Sequence, residues 1–414
     1  MTGEQERAAS KHRSCGQSSA GIDELPSCGQ SCRWGGTGGR SGTPPARASE
    51  TPRASRTHPA APAPVSDTHP ADTNPSFTAP VSATPPKRRP TRRWRRTTLA
   101  ALLLAAVVLP LSAATRPRIP APLPAALPAP LTPAALATAY EANREDAAEA
   151  ARMAAADGDV SRAAADRALA SPSRRLLRFD ARGDGQVTEV FGDLTHATRI
   201  AVLVPGSDTT LDTYARFHTA AESLYRRLAQ ETREQPGTRT AVIAWLGYRT
   251  PATISTTVLT PGRAGQAGPH LREFIRELRT LTAPGPAAVA LLCHSYGTVV
   301  CARAAPALTG LGVTDIALVG SPGTGADSAA DLHTSARIWA ARGADDWIAE
   351  VPHLRAGLFG TTVGLGADPV SASFGARVFA AGPGGHSDYF TPGSASLANL
   401  ARIVLGETTE VTRA

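Results

Sequence analysis

From residue 199 onward, short unbroken apolar runs alternate with amphipathic stretches, and this alternation constrains the fold more than any other feature of the chain. "RIAVLVPG" (199–206), "TAVIAWLGY" (240–248), "AAVALLC" (287–293), "DIALVGSPG" (315–323), "ARIWAARGADD" (336–346) and "ARVFAAGPGGH" (376–386) read as strands. Between them, Leu211 to Gln230 and "HLREFIRELRTL" (270–281) carry helical spacing, with Leu271, Ile275, Leu278 and Leu281 on one face. A further helix is expected from Tyr296 to Leu308, and "SASLANLARIVLG" (394–406) closes the chain with another. Strands that are apolar throughout are buried on both faces, and helical crossovers supply the cover. The expectation is an α/β protein with a mostly parallel sheet covered by helices on both faces. Two shorter strands, "RLLRFD" and "QVTEVFG", flank an Asp184-Gly185 turn ahead of it. Ligands of such sheets bind beyond the C-terminal strand ends.

The front of the chain reads differently. Residues 1–90 are rich in Pro, Ser, Thr, Gly and Arg without apolar periodicity, which predicts a disordered leader. Residues 91–116 follow the start of a basic cluster, Lys87 to Arg96, with an apolar run from Leu99 to Ala114. That run has the length of a signal-peptide core and ends in small residues, Ser112-Ala113-Ala114. It predicts a cleaved secretion signal or a retained N-terminal anchor, with the basic side in the cytoplasm. A twin-arginine reading of Arg92-Arg93 and Arg95-Arg96 lacks the apolar residues expected just after the pair. A signal so far into a chain is unusual, and one explanation is a true start downstream, for example at Val81 if its codon is GTG. Residues 117–133 form a Pro/Ala linker of polyproline II character, a spacer between the apolar run and the body. Residues 134–170 are Ala-rich and predict helices broken near Asp157-Gly158-Asp159.

Charge and composition exclude several functions. The net charge is +8, but residues 1–118 hold 17 Lys+Arg against 7 Asp+Glu, so the remaining residues are slightly acidic. The body therefore has no basic excess for nucleic acid. No lysine follows Lys87, which removes Schiff-base and P-loop chemistry. Five cysteines do not make a disulfide framework in 414 residues. Cys15, Cys28 and Cys32 lack the paired histidines of a zinc site, and Cys301 is expected as a buried free thiol on a helix. "DARGDGQ" from Asp180 has Phe191, not Glu, at the twelfth position of a calcium loop. "GSPGTG" from Gly320 lacks the Lys-Ser/Thr of a phosphate loop. No cofactor and no metal are expected.

The chemistry centres on "ALLCHSYGTVV" (290–300). Ser295 sits where the most apolar strand meets a helix, in the manner of a nucleophile elbow. Such a turn needs small residues two before and two after the serine. Gly297 fits, and Cys293 replaces the usual first glycine. A serine nucleophile needs a general base and the base an orienting carboxylate, in the chain order Ser, Asp/Glu, His for this type of elbow. His386, in a Gly-rich loop after the last strand, is preferred to His333 and His353 as the base. His294 is expected to point away. Asp346 is the expected acid, because Asp346-Trp347-Ile348 matches the usual register better than Asp345 does. Asp388 follows the histidine and reads as a loop cap. Two main-chain N–H donors would hold the oxyanion, one from Tyr296 and one from Ser207 or Gly206.

The segment from about Ser171 to Gly406 resembles an α/β-hydrolase. It is most similar to an actinobacterial branch of unknown function, through residues 171–206 and "CHSYGT", "ALVGSPG", "ADDWIAEVP", "LGADPVSASFGARVF" and "GHSDYF". The resemblance implies an α/β-hydrolase catalytic domain over 171–406 with Ser295, Asp346 and His386 as its triad, and it supplies no substrate. The leading expectation is a secreted or surface-tethered serine hydrolase acting on a small-molecule or lipid-like ester, touching membrane only through the N-terminal apolar segment. The alternatives are a peptidase, amidase or acyltransferase with the same triad, or an inactive hydrolase-fold binding module. The loop "PHLRAGLFGTTVGLGADPVSASF" (352–374) is expected to shape the acyl pocket as a cap.

Overall fold

A computed structural model describes residues 119–414, apart from 128–129, 254, 283–284, 286, 354–355 and 359–360. The leader at 1–90 and the apolar segment at 91–116, with Leu99 to Ala114, lie outside the described residues, as do Cys15, Cys28 and Cys32. Among the described residues no helix is long and apolar enough to cross a membrane.

The alternation in the sequence becomes an eight-stranded sheet. In chain order the strands are β1 (Leu176–Asp180), β2 (Gln186–Phe191), β3 (Arg199–Val204), β4 (Thr240–Leu246), β5 (Ala288–His294), β6 (Val313–Val319), β7 (Arg337–Ala341) and, after a small hairpin, β10 (Arg377–Val378). Their order across the sheet is β1-β2-β4-β3-β5-β6-β7-β10. From β4 to β10 every pairing is parallel, while β2 is antiparallel to both β1 and β4. The hairpin, β8 (Ala356–Leu358) with β9 (Thr361–Val363), stands apart from the main sheet within the 352–374 loop.

Strand residues alternate between two apolar clusters, as a two-residue period requires. Ile200, Val202 and Val204 of β3 belong to one cluster, and Ala201 and Leu203 to the other. Helix α3 (Tyr214–Glu231) and helix α6 (Ala395–Leu405) cover one face through Leu224, Leu228 and Leu400. Helix α4 (Gly262–Leu281) and helix α5 (Gly297–Ala304) cover the other through Leu271, Ile275 and Val300. Burying these side chains supplies the main favourable free energy of the fold, about 25 cal/mol per Å² of apolar surface.

Helix α4 starts eight residues before the expected "HLREFIRELRTL". Gly262, Gly265, Gly268 and Pro269 disfavour a helix in isolation. Tertiary packing overrides that preference: a Cβ at Gly268 would lie 3.0 Å from Arg303 Cβ and 3.1 Å from its carbonyl carbon, so the glycine lets α4 approach α5 closely. The last expected strand is shortened to Arg377–Val378, with Phe379 bridging to Arg413.

Ahead of the sheet, α1 (Leu136–Ala156) and α2 (Val160–Leu169) are separated by Asp157-Gly158-Asp159, with Gly158 at φ +86° and Asp159 capping α2 through Arg162 N–H. α1 packs on β1, and α2 packs against α1. Residues 119–127 have neither helix nor strand, in keeping with their proline content. They are not a free spacer, however: Leu127 packs on the core and Leu131 is buried within it.

Candidate active site

The parallel register sets the C-terminal ends of β3, β5 and β6 side by side, Val204 opposite Cys293 and His294 opposite Val319. Ser295 follows β5 directly. Its backbone is left-handed, φ +53°, an uncommon conformation for a residue with a side chain, and strained backbone of this kind gathers at functional sites. Ser295 N–H donates to Val319 O, which ties the turn to the neighbouring strand. A Cβ on Gly297 would lie 2.5 Å from Val204 O and 2.6 Å from Pro205 O, so only glycine fits there. On the other side, Cys293 and Cys301 are joined as a disulfide across eight residues, from the end of β5 to the middle of α5. This corrects the expectation of a free thiol at Cys301. Both cysteines are fully buried, as expected of Cys301, but the pair spans the elbow and the spacing alone carries no signal for it.

The structure brings Ser295, His386 and Asp346 together. Ser295 Oγ lies 2.9 Å from His386 Nε2, and His386 Nδ1 lies 2.9 Å from Asp346 Oδ1. Asp346 is buried and Asp345 is exposed. Burial alone would raise the Asp346 pKa. Hydrogen bonds from His386, Tyr389 and the Ile348 N–H outweigh it and hold the carboxyl below its ordinary range. Tyr389 was not singled out in the sequence. Its hydroxyl donates to Asp346 Oδ2 while accepting from Gly343 N–H at 3.0 Å, so it links the acid to the main chain after β7. Its one sequence signal was its place in "GHSDYF", three residues past the histidine.

His294 does not turn away from the site. Its Nε2–H donates to His386 O at 2.6 Å and its ring lies 4.8 Å from the His386 ring. Burial first, and then neighbouring His386, push its pKa down to about 4, so it is a neutral donor that ties the His386 loop to the elbow. Trp347, half exposed, has its ring 4.7 Å from the His386 ring. The remaining candidates lie elsewhere. His333 is exposed in a left-handed turn, His353 Nε2 faces Ser321 O at 3.4 Å, and Asp388 accepts from Gly385 N–H as a loop cap.

Of the expected oxyanion donors, Gly206 presses against the nucleophile, where a Cβ would lie 2.5 Å from Ser295 Cβ and 3.0 Å from its Oγ. Ser207 is next in chain and lines the same cavity. Tyr296 opens α5 with its N–H, while its hydroxyl donates to Thr260 O and accepts from Ala264 N–H, anchoring the turn to the start of α4. The cavity, about 230 Å³, opens onto Ser295 and His386. Among the described residues its walls come from the 203–209 segment, Thr213 and α3, Thr253, the end of β5 and the 386–390 loop; much of the expected 352–374 cap lies outside the described side chains. No cluster of His, Cys, Asp and Glu suited to a metal occurs among the described residues.

Residues 180–356 match the model of a family described as alpha/beta hydrolase. An uncharacterized protein of Mycobacterium tuberculosis is 31% identical over 247 residues, which are 54% of this chain and 37% of that protein. An uncharacterized protein of Mycobacterium bovis is 30% identical over 178 residues, 41% of this chain and 66% of that one. The chain thus spans little more than a third of the first relative's length. Among solved structures, the crystal structure of esterase PE8 is 18% identical, with 53% of this chain and 97% of that one covered, at a TM-score of 0.35. The thioesterase domain from the curacin biosynthetic pathway is 11% identical, covering 56% and 99%, at 0.33. With its sheet order, its strand-turn-helix elbow and the match over residues 180–356 in agreement, this chain has the α/β-hydrolase fold and is similar to mycobacterial proteins that are themselves uncharacterized.

Proposed function

We propose that the chain is a serine hydrolase that cleaves carboxylic esters through an acyl-enzyme. The observation that carries this reading is the unbroken line from Ser295 Oγ through the His386 ring to Asp346, 2.9 Å at each step, at the mouth of a cavity. In this reading Ser295 Oγ attacks the ester carbonyl while its proton passes to His386 Nε2. Asp346, accepting from Nδ1–H, holds the ring in the tautomer that leaves Nε2 free and stabilises the imidazolium once formed. The oxyanion would sit between the Tyr296 N–H and the main chain at Gly206-Ser207. As the C–O bond breaks, His386 returns the proton to the departing alcohol. Water activated by the same nitrogen then hydrolyses the acyl-serine and regenerates the hydroxyl.

A fluorophosphonate probe tests the nucleophile. The full chain should be labelled at Ser295, and Ser295→Ala should lose both labelling and some 10⁵–10⁶-fold of ester turnover, on the order seen for a disabled triad. Labelling of the alanine variant at the wild-type level would sink the assignment, and no labelling of the wild type would favour an inactive binding module.

The site of action in this reading is outside the cytoplasm. The apolar run from Leu99 to Ala114 behind its basic cluster supports export, and so does the Cys293–Cys301 disulfide, a bond that persists in oxidising compartments. In the native host a mature N-terminus near Thr115 would mark a cleaved signal, and membrane fractionation of the uncut chain an anchor. Recovery of the whole chain from the cytosol would refute both.

A further inference from the structure

Helix α3 presents one face to the cavity beside Ser295. Arg216, Phe217 and Ala220 recur on it at helical spacing and, with Thr213 just before its first turn, line the cavity. Phe217 and Ala220, with Phe390 opposite, make an apolar wall that is only partly covered by the rest of the protein. Arg216 lines the same cavity, is exposed, and its guanidinium makes no ion pair or side-chain hydrogen bond among the described residues.

The neighbours of Arg216 account for its freedom. Other arginines of α3 are paired along the helix, Arg226 with Glu222 and Arg227 with Glu231. Four residues after Arg216 comes Ala220. Four before it comes Asp212, whose carboxylate is taken by Arg162 at 2.7 Å. The carboxylate that lines the cavity, Asp208, accepts the Thr253 N–H with both oxygens, at 3.1 and 3.2 Å. The first turn of α3 contains no acidic residue, so the helix dipole adds to the positive potential there. A cation that lines the same cavity as Ser295 and has no ion-pair partner of its own among the described residues is available for a substrate.

We infer that the ester substrate carries an anionic group, a carboxylate or phosphate, that Arg216 binds while the apolar portion lies on Phe217, Ala220 and Phe390. This inference rests on the serine-hydrolase reading above and names the substrate class for the same cavity. The guanidinium fork suits a carboxylate or phosphate, and the interaction is charge-assisted. The anion is on the acyl or on the alcohol side of the ester, and matched substrates separate the two.

The test compares kcat/KM of the full chain for two pairs of esters. Monomethyl adipate against methyl hexanoate places a carboxylate at the end of the acyl chain. Butyryl glycerol phosphate against butyryl glycerol places a phosphate on the alcohol. The wild type should prefer the anionic member of one pair by roughly tenfold, chiefly through KM. The preference should fall to about unity in Arg216→Gln, reverse in Arg216→Glu, and shrink as salt rises. Because Arg216 is exposed, neither substitution threatens folding. If Ser295 is labelled and the esters are turned over, but the anionic-to-neutral ratio is the same in wild type and Arg216→Gln for both pairs, the inference is refuted and the hydrolase reading stands. If Ser295 takes no label and none of the four esters is cleaved, both fall.

Discussion

Replacing both cysteines of the elbow by alanine should destabilise the protein by an amount the loop length sets. The Cys293–Cys301 bond closes eight residues of chain. Loop-closure entropy for that length is about 8 cal/mol/K, or about 2.5 kcal/mol at 25 °C. The two sulfurs are fully buried, so their removal adds a cavity cost of the same sign. In a domain of this size each kcal/mol moves Tm by about 2–4 °C, so Cys293→Ala/Cys301→Ala should melt about 5–10 °C below the wild type. Calorimetry with and without a phosphine reductant is the assay. Reductant should bring the wild-type transition toward that of the double variant and leave the variant where it was. A Tm shift below about 1 °C in the variant would refute the reasoning. So would a non-reducing peptide map that finds Cys293 and Cys301 as free thiols in protein made in an oxidising compartment.

Two other perturbations separate residues that the sequence leaves close together. Asp346→Asn should lose about 10⁴-fold in kcat with its fold intact by circular dichroism, whereas exposed Asp345→Asn should lose little; a crippled Asp345→Asn would move the acid by one residue. Tyr389→Phe removes one donor to Asp346 and should lower kcat with a shifted pH profile, while an unchanged profile would make Tyr389 a packing residue only. Asp166, buried on α2 with neither carboxylate oxygen hydrogen-bonded, is pushed up to about 7 chiefly by burial. A carboxyl whose pKa is raised by folding costs the folded state increasing stability as pH rises from about 4 to about 7. Asp166→Asn should therefore gain most Tm over the wild type at pH 8, less at pH 5 and little at pH 4; an equal gain at pH 8 and pH 4 would refute the titration.

The alternation of strands and helices was legible because continuous apolar runs have few other uses in a chain of this length. Ser295 and His386 were legible through local chain grammar, a serine at a strand-to-helix turn and a histidine in a Gly-rich loop after the last strand. Asp346 needed only a choice of register. What escaped was decided at long range. The Tyr389 hydroxyl reaches an acid 43 residues away in sequence. The first two turns of α4 exist because Gly268 lets two helices touch, against its own helix propensity. The part of the cavity wall that comes from α3 escaped because it depends on where a helix docks. The disulfide escaped because two cysteines eight apart look alike whether bonded or free.

The pairing of α1 with β1 bears on how the protein is cut for study. β1 is one of the two outer strands of the sheet, and an outer strand carries main-chain groups able to recruit another chain. Asn143, buried on α1, donates its side-chain amide to Leu176 O and Leu177 O at 3.0 and 3.1 Å and so occupies acceptors on that strand. The family match begins at residue 180, the last residue of β1, and the most hydrolase-like sequence begins near 171. A fragment trimmed to either boundary would lose the helix pair and, at 180, nearly all of the strand beneath it. It would expose the flank of β1 or β2 as a template for intermolecular strand addition. Such a fragment should be recovered as aggregate even with every catalytic candidate present, while one that begins at 119 should stay monodisperse in light scattering.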